Sequence, residues 1–312
     1  MLLSGSIVFA QSDADKLSIM TGGSFGKPKI IPKLEKLGIA QITVSYKLTT
    51  TQRTIGKEKS TGAMAGAKLT AYLETTDGEL TETDFQEVTD YFYSYFQKKL
   101  KENGIDTVGW DKITGTDFYK KYDDKDELKK EEKGGNVWFT STAHKGNILY
   151  GGGIPFAFGK IKKASRFAED IGAPAGYFYV TVDFADLKLS VDIKSHESGY
   201  FAITKTRTFN YDASTKPEMQ VIPSNLGTTL FWNEKTQSES MAVMQDIPSG
   251  VTYHTSITQD PSRIKNRAFA FAKAMDPVVI ETTKDKYKAA AKKALEKYAD
   301  AFVAKAIAMK KS

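Results

Sequence analysis

Cysteine is absent from the 312 residues of this chain. The absence excludes disulfide staples, thiol nucleophiles and cysteine-ligated metals, and it leaves no cysteine for a lipid anchor. A chain of this length can supply its own core without disulfides, so the lack is compatible with export. Histidine is scarce: His144, His196 and His254 are the three in the sequence. No two stand at metal-binding spacing and no H-E-x-x-H occurs, so neither a metal centre nor a cofactor is expected. No run approaches the roughly 20 apolar residues of a transmembrane helix.

What the chain does have is a globular composition, 40% hydrophobic and 12% aromatic, which rules out a disordered chain. Its net charge of +6 is localised. Residues 284–312 hold nine lysines against three acids, a local net of +6, so the rest of the chain sums to zero. Lys284, Lys288, Lys292, Lys293 and Lys297 therefore mark a candidate partner-binding or membrane surface, with an ordinary solvated helix face as the alternative. The segment lacks arginine, which argues against nucleic acid as a partner.

The opening, MLLSGSIVFAQSDA, reads as the end of a secretory signal. Residues 2–9 are apolar, Val8-Phe9-Ala10 places a small residue at a cleavage point, and the chain turns polar at Gln11. The usual basic segment before such a stretch is missing, and a buried N-terminal strand is the competing reading. The expected organisation is a signal remnant over residues 1–10 and one domain over 11–312, with a helical region at 260–312.

Hydrophobic periodicity predicts the elements. AQITVSYK alternates from Ala40 to Lys47 as a half-buried strand would. Residues 49–66 are rich in Thr, Lys and Gly and read as a polar hairpin tip or loop, with a return strand at 67–76. Thr83 and Gln86 fit a capping box that opens a helix carrying Phe85, Val88, Phe92, Tyr95, Phe96 and Leu100 on one stripe, stopped at Gly104. A short strand follows near residue 106, then a charged helix over 116–133, a hairpin or long strand over 136–153, and a basic amphipathic helix over 159–171. In AGYFYVTVDF, Phe178, Val180, Val182 and Phe184 share a face. The apolar positions resume at Leu187, Leu189 and Val191 with opposite parity, so a bend is expected at Ala185-Asp186. Strands follow near 199–212, 228–232, 241–244 and 251–258. Asp260-Pro261 reads as the start of a helix through Met275, and residues 284–309 as a long amphipathic helix whose stripe is Tyr287, Ala291, Leu295, Tyr298, Phe302 and Ala306. The fold expected is α/β or α+β, a mixed sheet with helices packed on it.

Motifs that could carry chemistry are incomplete. Gly22-Gly23-Ser24-Phe25-Gly26 matches G-x-S-x-G, but Lys27-Pro28 follows where the mechanism requires a helix. The stretch from Gly151 to Lys160 is one residue too long for a phosphate loop and has Ile161 where a hydroxyl is needed. Asp183, Asp186 and Asp192 are the tightest group of strand carboxylates. Asp183 and Asp186 are the candidates for a carboxylate-dependent hydrolase, which needs two carboxyls about 5–9 Å apart in a cleft.

The segments IAQITVSY, FQEVTDYFYSYFQKKLKENGIDTVGWDKI and ASRFAEDIGAPAGYFYVTVDF follow one another as strand, helix into short strand, and helix into aromatic strand. In this order they resemble the TolB N-terminal-like and curli-secretion-channel (CsgG-like) α/β domains of the periplasm, over residues 37–190. The resemblance implies an envelope protein that works by contact or assembly, with no catalytic residues to carry over. Such proteins are typically lipoproteins, and residues 49–66 and the strands after Gly199 fall outside the pattern. The expected function is therefore that of an exported, periplasmic or secreted protein whose partner is an envelope protein or another copy of itself. The alternatives are a secreted hydrolase and a membrane-associated oligomer in which residues 46–72 pair across subunits.

Overall fold

The structure, a computed structural model, describes residues 13–21, 27–58, 62–121, 130–149, 158–198, 204–223, 228–233, 235, 237–264 and 272–310. The signal-like start, the G-x-S-x-G stretch, most of the glycine run before Lys160 and the core of the charged segment at 122–129 lie outside them. The fold is α+β, as expected: one large mixed sheet, a separate two-stranded sheet, and helices on both faces.

The sheet is organised by one very long strand, β2 (Lys36–Lys57), which follows β1 (Leu17–Thr21). Along its first half β2 runs parallel to β7 (Ala175–Asp183), from Gly38↔Ala175 to Tyr46↔Val182. Along its second half it forms an antiparallel hairpin with β3 (Met64–Thr75), from Thr49↔Tyr72 to Lys57↔Met64. Thr49 also pairs with Val137 of β6 (Asn136–Thr142), so β6 lies on the opposite edge of β2. β4 (Asp106–Thr107) extends the start of β2, and β5 (Lys130–Lys133) extends β6. On the β7 side, β10 (Gln220–Ile222) and β11 (Thr228–Trp232) pair with β7, β12 (Ser238–Val243) joins β11 to β1, and β13 (Ile247–Pro248) pairs with β10. On the other side, β15 (Ala272–Ala274) and β16 (Val278–Thr282) run parallel to β3, and β14 (His254–Gln259) closes that edge on β16. The chain leaves the large sheet at Phe184-Ala185, where the change of parity requires a bend. It then forms β8 (Asp186–Ser198) and β9 (Thr204–Lys216), paired only with each other among the described residues.

Two helices cover one face of the sheet: α1 (Glu82–Glu102) and, after the short α2 (Trp110–Thr114), α3 (Asp117–Lys121) and α4 (Phe158–Ile171), the long C-terminal α5 (Lys284–Lys310). Helices α2 to α4 pack on the other face, where Phe118, Phe167, Ile171 and Tyr177 form a second apolar cluster. Phe96 of α1, Phe178 of β7, Phe231 of β11 and Phe302 of α5 meet with centroids 4.9 to 5.9 Å apart and form the centre of the first cluster. The aromatic stripe on α1 is thus core, and all six predicted positions on α5 are buried.

Several expectations are corrected. β2 is not half-buried at its start, because the sheet centre is covered on both faces. Gln41, Thr43 and Ser45 are buried too, and the Gln41 amide donates to the Thr43 hydroxyl at 2.7 Å. Residues 49–66 belong to a hairpin, as one of the two readings has it, but residues 49–57 and 64–66 are its paired strands and not its tip. The capping box of the first helix lies two residues earlier, at Thr81 and Asp84 in place of Thr83 and Gln86, and the Thr81 backbone N–H and hydroxyl both donate to Asp84 at 2.8 Å. The start of the proposed 116–133 helix is the single turn α3, and its end is strand. Asp260 does cap a turn, accepting from the Ser262 N–H, but that turn is a 3₁₀ helix of three residues, Pro261–Arg263. Ile264 is extended and residues 272–274 are strand. Parallel pairing of β15 with β3 satisfies backbone groups there that a helix would have satisfied internally. Helix α5 is more than amphipathic: Ala290, Ala294 and Ala301, off the main stripe, are buried as well, since their small side chains let neighbouring elements approach.

Candidate functional site

The predicted carboxylates lie outside the two clefts described below. Asp183, at the end of β7, is 4% exposed. Its Oδ2 accepts from Lys47 Nζ at 2.7 Å and from the Thr50 hydroxyl at 3.1 Å, and its Oδ1 from the Ala185 N–H at 3.4 Å. A carboxylate so fully engaged by its own sheet acts as a strut. Asp186 is partly exposed at the start of β8, 3.7 Å from Lys188. Asp246, just before β13, joins this corner: burial, and then the charges of Asp186 and Asp183, push its carboxyl above the ordinary range against the pull of Lys16 and Lys47. Neither Asp183 nor Asp186 lines the two clefts described below.

The histidines are equally dispersed. His144 sits in a left-handed turn with its ring against Tyr93 and Trp110, and its N–H donates to Asp90 at 2.6 Å. His196 lies in β8, opposite Thr206, while His254 pairs with Thr282 at the sheet edge. Among the described residues no group of three His, Asp or Glu side chains could hold a metal.

The lysines of α5 are largely engaged within the chain. Lys284 and Lys288 lie 3.6 Å from the Asp84 carboxylate, and Lys288 and Lys292 donate to Glu87 at 2.9 and 2.6 Å. Lys293 pairs with Glu296 on its own helix at 2.8 Å. Hydrogen bonds from Lys292 and Lys288 hold the Glu87 carboxyl below its usual range. Partial burial works against ionisation of Asp84, but the two donors of Thr81 and the charges of Lys284 and Lys288 lower its carboxyl all the same. These contacts clamp α5 to α1. Of the five candidate lysines, Lys297 is the one without an ion pair among the described residues.

One part of the fold has two strand layers and is here called the stacked arm. The β8–β9 hairpin lies across one face of the β2–β3 hairpin. Alternate residues Leu187, Leu189, Val191 and Ile193 of β8 are the less exposed ones, and Leu187 and Leu189 pack against the main core. The layers approach so closely that a Cβ at Gly56 would stand 2.6 Å from the carbonyl oxygen of Val191. Gly56 thus points inward, and Ile55 and Lys57 point outward. Met64, opposite Lys57, shares that outer face and is diagonal to Ile55. Ile55 is 60% exposed, Met64 55%, and Phe209 on β9 42%.

Two clefts accompany this frame. One, of about 440 Å³, runs between β9 and β14 over a floor of Leu69, Met275 and Val278. The other, of about 580 Å³, lies between α3 and α4, where Phe118 and Phe167 stack among Lys121, Arg166, Asp117 and Asp170.

Sequence reading missed Glu239. This carboxylate on β12 is 3% exposed and accepts from the backbone N–H groups of Lys29, Ile30 and Ile31, at 2.7 Å from Ile30 and 2.9 Å from Ile31. It fixes the entry of the chain into β2. The signal was weak: one acid in SESMAV, at a position whose alternation assigns it to a buried face.

No helix among the described residues is long and apolar enough to cross a membrane, which leaves strands unaddressed. No family model matches the chain, and neither a curated protein nor a solved structure does.

Proposed function

We propose that the protein is an exported cell-envelope component that acts by protein contact or self-assembly and performs no catalysis, with the stacked arm as its contact element. The observation that carries the reading is the arm itself. Its outer face presents Ile55 and Met64 to solvent at the end of a strand pair, and its second layer presents Phe209. Exposed apolar side chains are ordinary when scattered, but Ile55 and Met64 are diagonal neighbours on one face of a strand pair, and the edge of β2 beside Ile55 has no strand partner among the described residues, an arrangement that pairing with another chain can use. The signal-like start and the resemblance to periplasmic assembly domains support the same reading. The engagement of Asp183 by Lys47 and Thr50 weighs against the hydrolase alternative.

Light scattering on the full chain and on an Ile55→Asp/Met64→Asp variant tests it. The reading expects a mass above the 34.5 kDa of the monomer, in the protein alone or with an envelope extract, that falls to the monomer value in the variant. A wild-type chain that stays monomeric in both settings contradicts it.

A further inference from the structure

We propose that the groove between β9 and β14 is the seat for the far end of the β2–β3 strand pair, Ile55 to Lys57 with Met64 and hereafter the tip, of a second copy of this chain. The inference rests on the assembly reading and names the surfaces that meet.

The groove has the chemistry of an incomplete sheet. β9 pairs only with β8 and β14 only with β16 among the described residues, so each lip presents unpaired backbone donors and acceptors. Such edges select an extended backbone. Between the lips the surface is apolar: Leu69, Met275 and Val278 below, Ala213 and Ile257 at the sides, with Ile257 44% exposed. The rim is acidic. Asp212 and Asp276 line it, both are exposed, and neither has an ion pair among the described residues.

The hairpin tip is the complement. Its outer face pairs the aliphatic Ile55 and Met64 with the exposed cation Lys57, which has no ion pair among the described residues. Among the described residues of the tip, Ile55 and Met64 face an apolar floor, Lys57 faces Asp212 and Asp276, and the edge of β2 without a strand partner meets an open strand edge. Charge complementarity of this kind sets register and excludes wrong partners. The tip cannot serve its own groove. Met64 and Leu69 are five residues apart on the same strand, roughly 17 Å at about 3.4 Å per residue, and β3 is held straight by its pairing with β2 and β15. The contact is therefore between copies, with a different surface on each side, and it propagates into a ring or a chain.

A charge exchange tests the match. All three side chains are exposed, so Lys57→Glu and the double change Asp212→Lys/Asp276→Lys should leave thermal unfolding unmoved. Each variant alone is expected to weaken self-association, read by sedimentation, by on the order of tenfold or more. The triple variant is expected to recover it, as is an equimolar mixture of the two weakened variants, which supplies one complementary tip and groove at every contact. An oligomer insensitive to these changes overturns the groove and leaves the assembly reading standing. Loss without recovery in the triple variant and the mixture overturns the pairing of Lys57 with the aspartates. A wild type that is monomeric by itself, whether or not it captures another envelope protein, overturns self-docking.

Discussion

Lys47 Nζ and Asp183 Oδ2 are 2.7 Å apart across the parallel pair β2 and β7, with 20% and 5% of their side chains exposed. The pair stands where β2 passes from its partnership with β7 to its partnership with β3, so it ties the body of the fold to the root of the arm.

Removing one partner should therefore cost more than the pair itself contributes. Lys47→Met leaves Asp183 with the Thr50 hydroxyl and one N–H, and the expected loss is about 3 kcal/mol, the low end for a broken buried pair because Lys47 keeps some water. Replacing both residues, as Lys47→Met/Asp183→Leu, should recover most of that loss. Urea unfolding of the three proteins checks this. A double variant no more stable than the single one would show that Asp183 has another partner of equal weight.

Gly56 sets the spacing of the arm. Gly56→Ala drives a methyl group against the backbone oxygen of Val191, a neighbour that cannot rotate away. The expected cost is about 1–3 kcal/mol for overpacking, concentrated in the arm. Hydrogen exchange should show faster amides in β8 and β9, with α1 and α5 unchanged. Uniform loss of protection would place Gly56 in the global core instead.

The clamp between α1 and α5 titrates. The folded-state carboxyl of Glu87 is depressed by Lys292 and Lys288. Its stabilisation is therefore fully present above the ordinary glutamate range, near 4.3, and is lost as pH falls through the lower folded value. The unfolding midpoint of Glu87→Gln should lie below that of the wild type at neutral pH and converge with it in acid. A gap that persists at low pH would mean that shape, and not charge, holds the clamp.

Asp246 has the opposite sign. Burial, Asp186 and Asp183 raise its carboxyl, so the ionised form is penalised in the folded chain. The penalty is present above the raised value and relieved as pH falls towards the unfolded value near 3.9. Asp246→Asn should raise the urea midpoint at neutral pH, and the gain should vanish in acid. A destabilised variant would assign Asp246 a hydrogen bond that its charge had concealed.

The sequence made much of this fold legible where periodicity and packing coincide. Phe85 to Leu100 and Tyr287 to Ala306 repeat at helical spacing because each faces one core, and the parity change between Phe184 and Leu187 marked the exit from the sheet. It misled where a local signal was overruled by pairing. Thr- and Lys-rich residues 49–57 looked like a hairpin tip or loop and not like paired strand because the β3 partner that orders them lies across the hairpin, and Asp260-Pro261 opened only one turn because residues 272–274 are drawn into the sheet by β3. The candidate site was legible only in part. Lysines on α5 were visible, but the acids that engage them, Asp84 and Glu87, sit some 200 positions earlier in the chain. Ile55, Lys57 and Met64 share a face only because of the register of one hairpin.

Light scattering of the full chain with and without liposomes decides the central claim most directly. The account predicts a mass above the monomer that does not require lipid and that falls when Ile55 and Met64 are made acidic. A monomer at every concentration, unchanged by liposomes or envelope extract, would contradict it.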